Sequence, residues 1–367
     1  MDAEQTATLP TFTIEPTTTP TDAARRAEIL ANPVFGRAFT DHMAVIRYTE
    51  GEGWHDAKVT ARQPLTLDPA SSVLHYGQEI FEGMKAYRIA GGGVATFRPE
   101  ANARRFRESA ARMAMADLPE ALFVEAVDQL VKIDSEWVPS GDGQSLYLRP
   151  FMIANEVFLG VKPASEYLFM VIACPVGAYF GKGCVSVWVS EDYTRAAPGG
   201  TGAAKCGGNY AGSLVAQAES KKHGCDQVLF LDSREQRFVE EMGGMNVMFV
   251  RDDNTLVTPP LTGTILPGIT RDSIIRLAIQ KGMKVEEAAV DIDELFQGAA
   301  SGRYKEAFAC GTAAVLSPIG TLRRAGGVAT FGDGETPGAV SVALKKALTD
   351  IQTGRSNDQQ NWVHHIL

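Results

Sequence analysis

The spacing of apolar positions predicts alternating strands and helices along most of the chain. Residues 44–47 and 83–89 read as strands, the second turning through Gly91, Gly92 and Gly93 into a return strand at 94–98. Pro99 then opens a helix on which Phe106, Ala110 and Met113 recur at helical steps, leaving Arg104, Arg105, Arg107 and Arg112 to its other faces. A second helix, 119–137, carries Leu122, Ala126, Leu130 and Ile133 as one stripe. Strands follow at 145–155 and 167–175. The second is apolar almost without interruption, the pattern of a strand buried on both faces. Beyond a glycine-rich stretch at 177–183 come a strand at 185–189, a helix at 210–223 and a strand at 227–232. The helix at 269–282 has Ile274, Leu277 and Ala278 on its apolar side, and that at 339–353 carries Val342, Leu344, Ala347 and Ile351. Neither half keeps the regular beat of a doubly wound sheet, so the pattern predicts two α+β domains.

The expected organisation is a mobile N-terminal arm (1–30), a smaller α+β domain (31–176), an interdomain loop (177–184) and a larger α+β domain (185–367). Eight threonines and three prolines within residues 1–21 make the arm too polar and too broken to bury much. A length of 367 residues exceeds one ordinary core. At 45% apolar and 22% charged residues, the composition is that of a folded chain and excludes a disordered one. Lys plus Arg number 35 against 44 for Asp plus Glu, a net −9, which argues against a nucleic-acid partner. The longest apolar run, 167–176, falls well short of the roughly 18 residues that cross a bilayer, so no membrane partner is expected. The five cysteines, Cys174, Cys184, Cys206, Cys225 and Cys310, are widely spaced and form no Cys-x-x-Cys pair. Neither a disulfide framework nor a metal site is expected, and reduced thiols fit a cytoplasmic protein. With no Lys or Arg before Arg25 and no apolar core, the N-terminus reads as neither a secretory signal nor a transit peptide.

The least ordinary stretch runs from Ala197 to Tyr210, Ala-Pro-Gly-Gly-Thr-Gly-Ala-Ala-Lys-Cys-Gly-Gly-Asn-Tyr, where glycines surround Lys205. Such a cluster lets a backbone approach a ligand closely. Two nucleotide motifs fail here. Counted from Gly199, a P-loop would need glycine at Ala204 and a hydroxyl at Cys206. The dinucleotide fingerprint begins at Gly200 and Gly202 but meets Lys205 at its third glycine. What remains is a lysine among small residues, where desolvation would lower its pKa and free the amine to attack a carbonyl. A surface lysine in a flexible loop is the plain alternative.

Lys205-Cys-Gly-Gly-Asn-Tyr210 resembles the lysine motif of branched-chain amino acid aminotransferases, pyridoxal-phosphate enzymes of fold type IV. It is joined by Phe81-Glu-Gly-Met-Lys-Ala-Tyr87, Ser145-Leu-Tyr-Leu-Arg-Pro150 and Cys174-Pro-Val-Gly-Ala-Tyr-Phe180. Val257-Thr-Pro-Pro-Leu261, Ile265-Leu-Pro-Gly268 and Gly311-Thr-Ala313 continue the pattern, in collinear order from about Phe35 to the C-terminus. The resemblance implies an α+β, two-domain enzyme of the D-amino acid aminotransferase-like fold, with its active site in the interdomain cleft and pyridoxal 5′-phosphate as cofactor. It implies a homodimer. The implied reaction is ping-pong transamination of L-leucine, L-isoleucine and L-valine with 2-oxoglutarate, giving branched 2-oxo acids and L-glutamate.

The same resemblance implies roles residue by residue. Lys205 bonds the cofactor aldehyde and later carries the proton between Cα and C4′. Glu241 faces the pyridine nitrogen, although Glu240 beside it leaves that choice open from sequence. Tyr210 meets the cofactor's 3′-oxygen. Arg105, the amides of Ile269 and Thr270 at a helix start, and the Thr312 hydroxyl serve the phosphate. Phe35, Tyr76, Phe81, Tyr147 and Tyr179 form the aromatic and aliphatic pocket, in which each buried methylene of a branched substrate gains about 0.8 kcal/mol. Arg149 supplies a bidentate partner for the γ-carboxylate of glutamate, and the amides of Thr312 and Ala313 hold the α-carboxylate. Two positions depart from the family. Ala314 and Ser317 stand where mammalian members have a redox Cys-x-x-Cys, and Gly244 replaces a threonine found in some members. The rivals are a D-amino acid aminotransferase or aminodeoxychorismate lyase of the same fold, and, from another class, a non-catalytic phosphate-binding module.

Overall fold

A computed structural model describes residues 9–177 and 183–367 of the chain. It folds as two compact units, Met1–Gly177 with Trp362–Leu367, and Ala178–Asn361.

The first unit is built on a sheet that has nine strands among the described residues: β1 (Thr13–Ile14), β2 (His42–Thr49), β3 (Gly53–Ala61), β4 (Glu79–Phe81), β5 (Met84–Arg88), β6 (Val94–Phe97), β7 (Ser145–Ala154), β8 (Glu166–Val176) and the C-terminal Val363–His365. Their order is β1-β3-β2-β8-β7-β5-β6 and then the C-terminal strand, with β4 also on β7. The uninterrupted apolar run of β8 is buried on both faces, as the sequence predicts. Phe169 meets Phe106 and Phe123 at ring separations of 5.4 and 5.7 Å, from helices α3 (Pro99–Arg112) and α4 (Glu120–Ile133). Leu168 and Met170 pack on the opposite face with Met43 and Ile153.

Four features differ from the sequence reading, each because of a distant partner. The described part of the arm is held: β1 pairs in parallel with β3, the Thr17 amide donates to His42 Nε2 at 3.0 Å, and Thr21 bonds Asp41. A threonine-rich segment is a good edge strand once a neighbouring strand accepts it. Helix α1 (Ala23–Ala31), capped by Asp22, follows. The helix expected to reach 137 stops at Ile133, because Asp134 turns away to bond His42, Nδ1 at 2.7 Å and the amide at 3.1 Å. Arg105, expected on a polar face of its helix, is 6% exposed and belongs to the buried face. Finally, Trp362–Leu367 joins the first unit rather than the second. Val363–His365 pairs with β6, and Trp362 lies edge-on to Phe97 under the Arg98 guanidinium.

The second unit holds another sheet, β9 (Val185–Ser190), β10 (Gln227–Leu231), β11 (Val239–Met242), β12 (Asn246–Arg251), β13 (Leu256–Thr258), β14 (Val285–Glu287), β15 (Tyr304–Gly311), β16 (Val315–Arg324) and β17 (Gly327–Thr330). Its order is β11-β10-β9-β16-β15-β12-β13-β14, with β17 beside β16. β9 is parallel to both its neighbours, while β12, β15 and β16 are antiparallel. Val187, Val189, Leu229, Val247, Phe249, Ala309 and Leu322 centre its core. Helices α5 (Gly207–Lys222), α6 (Ile269–Gln280), α7 (Ile292–Ala300) and α8 (Ala339–Gln352) accompany the sheet. The mixed strand directions of both sheets make the chain α+β.

Candidate active site

In the second unit the glycine-rich segment is a fixed loop. A Cβ at Gly202 would fall 2.3 Å from the Thr264 carbonyl oxygen, so only glycine permits this contact. Asn209 closes the loop from the first turn of α5, donating to the carbonyls of Thr201 at 2.8 Å and Ala204 at 2.9 Å. Its side-chain oxygen accepts from the Thr201 hydroxyl at 2.7 Å. Lys205 is therefore set between the buried Ala204 and Cys206, one residue before the α5 cap. Its Nζ donates to the Tyr210 hydroxyl at 3.0 Å.

Adjacent residues on a strand point to opposite faces, and β11 thereby separates the two acids. Glu240 accepts from the Thr264 hydroxyl at 2.5 Å. Glu241, 2% exposed, forms a buried ion pair with Arg195, 2.8 Å from Nη1 to Oε1. The same Oε1 accepts the Leu266 amide at 2.8 Å, whereas among the described residues Oε2 has only the Asn246 amide nitrogen at 3.3 Å. Burial pushes the Glu241 carboxyl up to about 7 against the opposing pull of Arg195, the Leu266 amide and Lys205. Lys205 thus acts on Glu241, and the structure separates the two acids where the sequence left them open.

Asn246 also donates to the Leu266 carbonyl at 3.0 Å, and its Oδ1 occupies the space a Cβ would take at Gly268. Gly268 is the N-cap of α6, so the helix begins against Asn246 with Ile269 and Thr270 in its first turn. Asn246 pairs in turn with Cys310 across β12 and β15. Thr312 and Ala313 lie in the turn between β15 and β16, next to Val315, a β-branched residue held at φ +61°. Backbone held there costs on the order of 1–3 kcal/mol and occurs where the surroundings over-determine it. A Cβ at Gly311 would come 3.2 Å from Met245, and one at Gly244 would come 3.6 Å from the Tyr210 ring. Gly244 is thus not demanded by sterics; its missing side chain leaves space against Tyr210. Lys205, Tyr210, Glu241, the α6 start and the turn after β15 belong to one neighbourhood.

In the first unit, β5 and β7 run antiparallel with Lys85 opposite Tyr147, which puts Tyr147 and Arg149 on one face of the sheet. The Arg149 guanidinium lies 4.7 Å from the Phe81 ring and donates to the Tyr147 hydroxyl at 3.0 Å. Phe35 meets Tyr147 edge-on at 5.0 Å. A Cβ at Gly83 would fall 2.2 Å from the Tyr147 hydroxyl oxygen, so glycine there is what admits the tyrosine. Among the described residues Tyr76 shows no contact with this wall: it is 41% exposed at the end of α2 (Val73–Tyr76), its hydroxyl on the Leu159 carbonyl. Tyr179 lies outside the described residues. Arg105 is turned to the wholly buried Glu82, which accepts its Nε and Nη2 at 2.8 Å each and Asn102 Nδ2 at 2.7 Å.

Sequence reasoning missed Glu82, Arg195, Asn209 and Asn246. Glu82 and Asn209 sit inside the recognised motifs and Asn246 lies five residues past Glu241, so all three could have been weighed there. Nothing marked Arg195.

The model of the class IV aminotransferases matches residues 79–322, a span that takes in the Lys205 loop, β11 and the turn after β15. The chain belongs to the class IV aminotransferase family, in its branched-chain group. It is 55% identical to a probable branched-chain-amino-acid aminotransferase of Streptomyces coelicolor, over 98% of this chain and 99% of the relative. Its fold resembles the branched-chain amino acid aminotransferase of Escherichia coli at TM-score 0.73 and 29% identity, over 88% of this chain and all of that one. The branched-chain amino acid aminotransferase of Thermobaculum terrenum, solved in its PLP form, gives TM-score 0.71 and 25% identity, over 88% of this chain and 98% of that one.

Proposed function

We propose that the protein is a pyridoxal 5′-phosphate-dependent transaminase of L-leucine, L-isoleucine and L-valine, with 2-oxoglutarate as amino acceptor and a ping-pong cycle. The observation that carries the reading is the geometry around Glu241: one oxygen takes the Leu266 amide and the Arg195 charge, the other a single long bond among the described residues, in a buried site that also feels the Lys205 charge. A cationic ring N–H is the donor that such an oxygen fits, so the residues suit the cofactor. When bound, the cofactor supplies the electron sink that stabilises negative charge at the substrate's Cα.

In this reading Lys205 would hold the cofactor through its aldehyde carbon, and its Nζ would carry the proton between the substrate's Cα and C4′. Tyr210, already bonded to Nζ, meets the 3′-oxygen. The Ile269 and Thr270 amides, the Thr312 hydroxyl and Arg105 serve the phosphate. Thr312 and Ala313 amides hold the α-carboxylate. Phe35, Phe81, Tyr147 and Tyr179 wall the aliphatic side chain, and Arg149 turns the same wall to the γ-carboxylate of glutamate. Tyr76, exposed at the end of α2, is the remaining member of the proposed substrate set. Leu74, Val157, Phe158, Leu159 and Val161 are exposed, Val161 at 89%, and exposed apolar side chains of this kind support a homodimer. No helix among the described residues is long and apolar enough to cross a membrane. The five free cysteines fit the reducing cytoplasm.

The test is the absorbance of the purified yellow protein on adding L-leucine alone. Conversion to the aminated cofactor, abolished by Lys205→Ala, is the expected result. Conversion by D-alanine and not by L-leucine would sink the reading, and a colourless protein would favour a plain phosphate-binding module.

A further inference from the structure

We propose that Arg195 is a positioning residue for the electron-accepting half of the site: it holds Glu241 as an anion with Oε2 presented, so that a proton shared with the cofactor's ring nitrogen resides on the nitrogen. The inference deepens the reading above and rests on its assignment of Glu241 to that nitrogen.

Arg195 has no surface role, since its side chain is 3% exposed. Its Nη1 lies 2.8 Å from Glu241 Oε1 and donates to the carbonyls of Thr264 at 3.0 Å and Gly202 at 3.4 Å. The guanidinium therefore ties the Lys205 loop and the segment leading to α6 to one carboxylate. A buried cation costs desolvation unless it is paired, and here the planar group meets three acceptors in fixed directions.

Four titratable groups face Glu241: Arg195, Lys205, Glu240 and Cys310. Arg195 and Lys205 favour the anion, and Glu240 opposes it. Burial pushes the Cys310 thiol up to about 12, which leaves it neutral. A proton between a pyridine and a carboxylate goes to the more basic partner. Without a fixed charge, the dry surroundings favour the uncharged pair, neutral ring and protonated acid. The Arg195 guanidinium supplies that fixed charge. It lowers the basicity of Glu241 and thereby moves the proton to the nitrogen, where it draws electrons from Cα. The Leu266 amide donates to Oε1 and the Arg195 charge lies on that same oxygen, which leaves Oε2 as the oxygen presented. Lys205 cannot substitute in this task, because its amine is itself engaged in the reaction.

The experiment uses the holoenzymes of wild type, Arg195→Met, Arg195→Lys and Glu241→Gln, each loaded with cofactor labelled with ¹⁵N in the ring. The ring ¹⁵N shift reports the proton directly. Wild type should give the protonated-nitrogen shift near neutral pH. Arg195→Met should move it to the neutral-pyridine position, with Arg195→Lys between them and following the Lys charge. The kcat with L-leucine should fall at least about tenfold per unit of carboxyl basicity gained, with KM less affected. If Arg195→Met does not fold, the Arg195→Lys shift decides the matter alone. A protonated nitrogen in the Arg195 variants beside a neutral one in Glu241→Gln would overturn the proposal. A protonated nitrogen in Glu241→Gln would overturn the Glu241 assignment instead.

Discussion

Gly83→Ala tests whether the substrate wall is set by one missing methyl group. The new Cβ would sit 2.2 Å from the Tyr147 hydroxyl oxygen and 3.0 Å from Cζ. Ordinary contact needs roughly 3.5 Å, so the hydroxyl must retreat by more than about 1 Å. The ring is met edge-on by Phe35 and its hydroxyl is bonded to Arg149 Nη2 at 3.0 Å, so any retreat stretches or breaks that bond. A hydrogen bond to a charged donor contributes about 1.5–3 kcal/mol, which corresponds to roughly 10- to 150-fold in rate if it is used in the transition state. Arg149 itself remains over Phe81, now without the group that orients it. The loss should therefore fall on the substrate that needs Arg149. In separate half-reactions, kcat/KM for L-glutamate should drop by about that range, and for L-leucine several-fold less. Overpacking also costs about 1–3 kcal/mol of stability. Taking the ratio of the two substrates on one preparation cancels any unfolded fraction. Equal losses for both substrates, or none, would refute the assignment of the wall and of Arg149.

Glu82→Ala removes a wholly buried carboxylate from Arg105 and Asn102, and breaking such a pair should lower stability by about 3–5 kcal/mol in urea unfolding; a loss below about 1 kcal/mol would contradict the pairing. Burial raises the Asp41 carboxyl, but bonds from Thr21 and Trp137 outweigh it and hold the group below its ordinary value. A lowered folded-state value means that this stabilisation is present above 3.8 and lost as pH falls below it. Proteolysis near Thr17 should accelerate there, and a flat profile would count against the clasp. Val161→Asp places a charge on an 89% exposed apolar position and should shift sedimentation from dimer to monomer, whereas an unchanged dimer would rule out this patch as the interface.

Elements whose pattern is local were legible in the sequence. The apolar run of β8 announced burial on both faces, and the stripe of α4 announced its buried side. What failed to show was every feature decided by a partner far along the chain. The end of α4 depends on His42, 92 residues from Asp134, and the burial of Arg105 depends on Glu82, 23 residues away. The arm looked mobile because an edge strand has no pattern of its own until β3 accepts it. The site divides in the same way. The motif residues singled out Lys205, Tyr210 and Glu241, but what distinguishes Glu241 from Glu240 is its pairing with Arg195, which the spacing does not mark.

Those partners also change the meaning of the net charge of −9. An acidic chain that takes a phosphate and two carboxylates needs local cations, and the sequence offers Arg105 and Arg149 for the task. Yet Arg105 is paired with Glu82 and Arg195 with Glu241, each acid nearly or wholly buried. A buried pair is close to neutral from a distance. What it contributes is direction: a guanidinium edge or a carboxylate oxygen held where a ligand atom must arrive. The backbone dipoles at the start of α6 add a favourable field for an anion within the first turn, where Asp272 opposes it. Cofactor affinity should accordingly depend more on the geometry of these pairs than on ionic strength, because a short-range, desolvated contact is screened far less than an exposed charge.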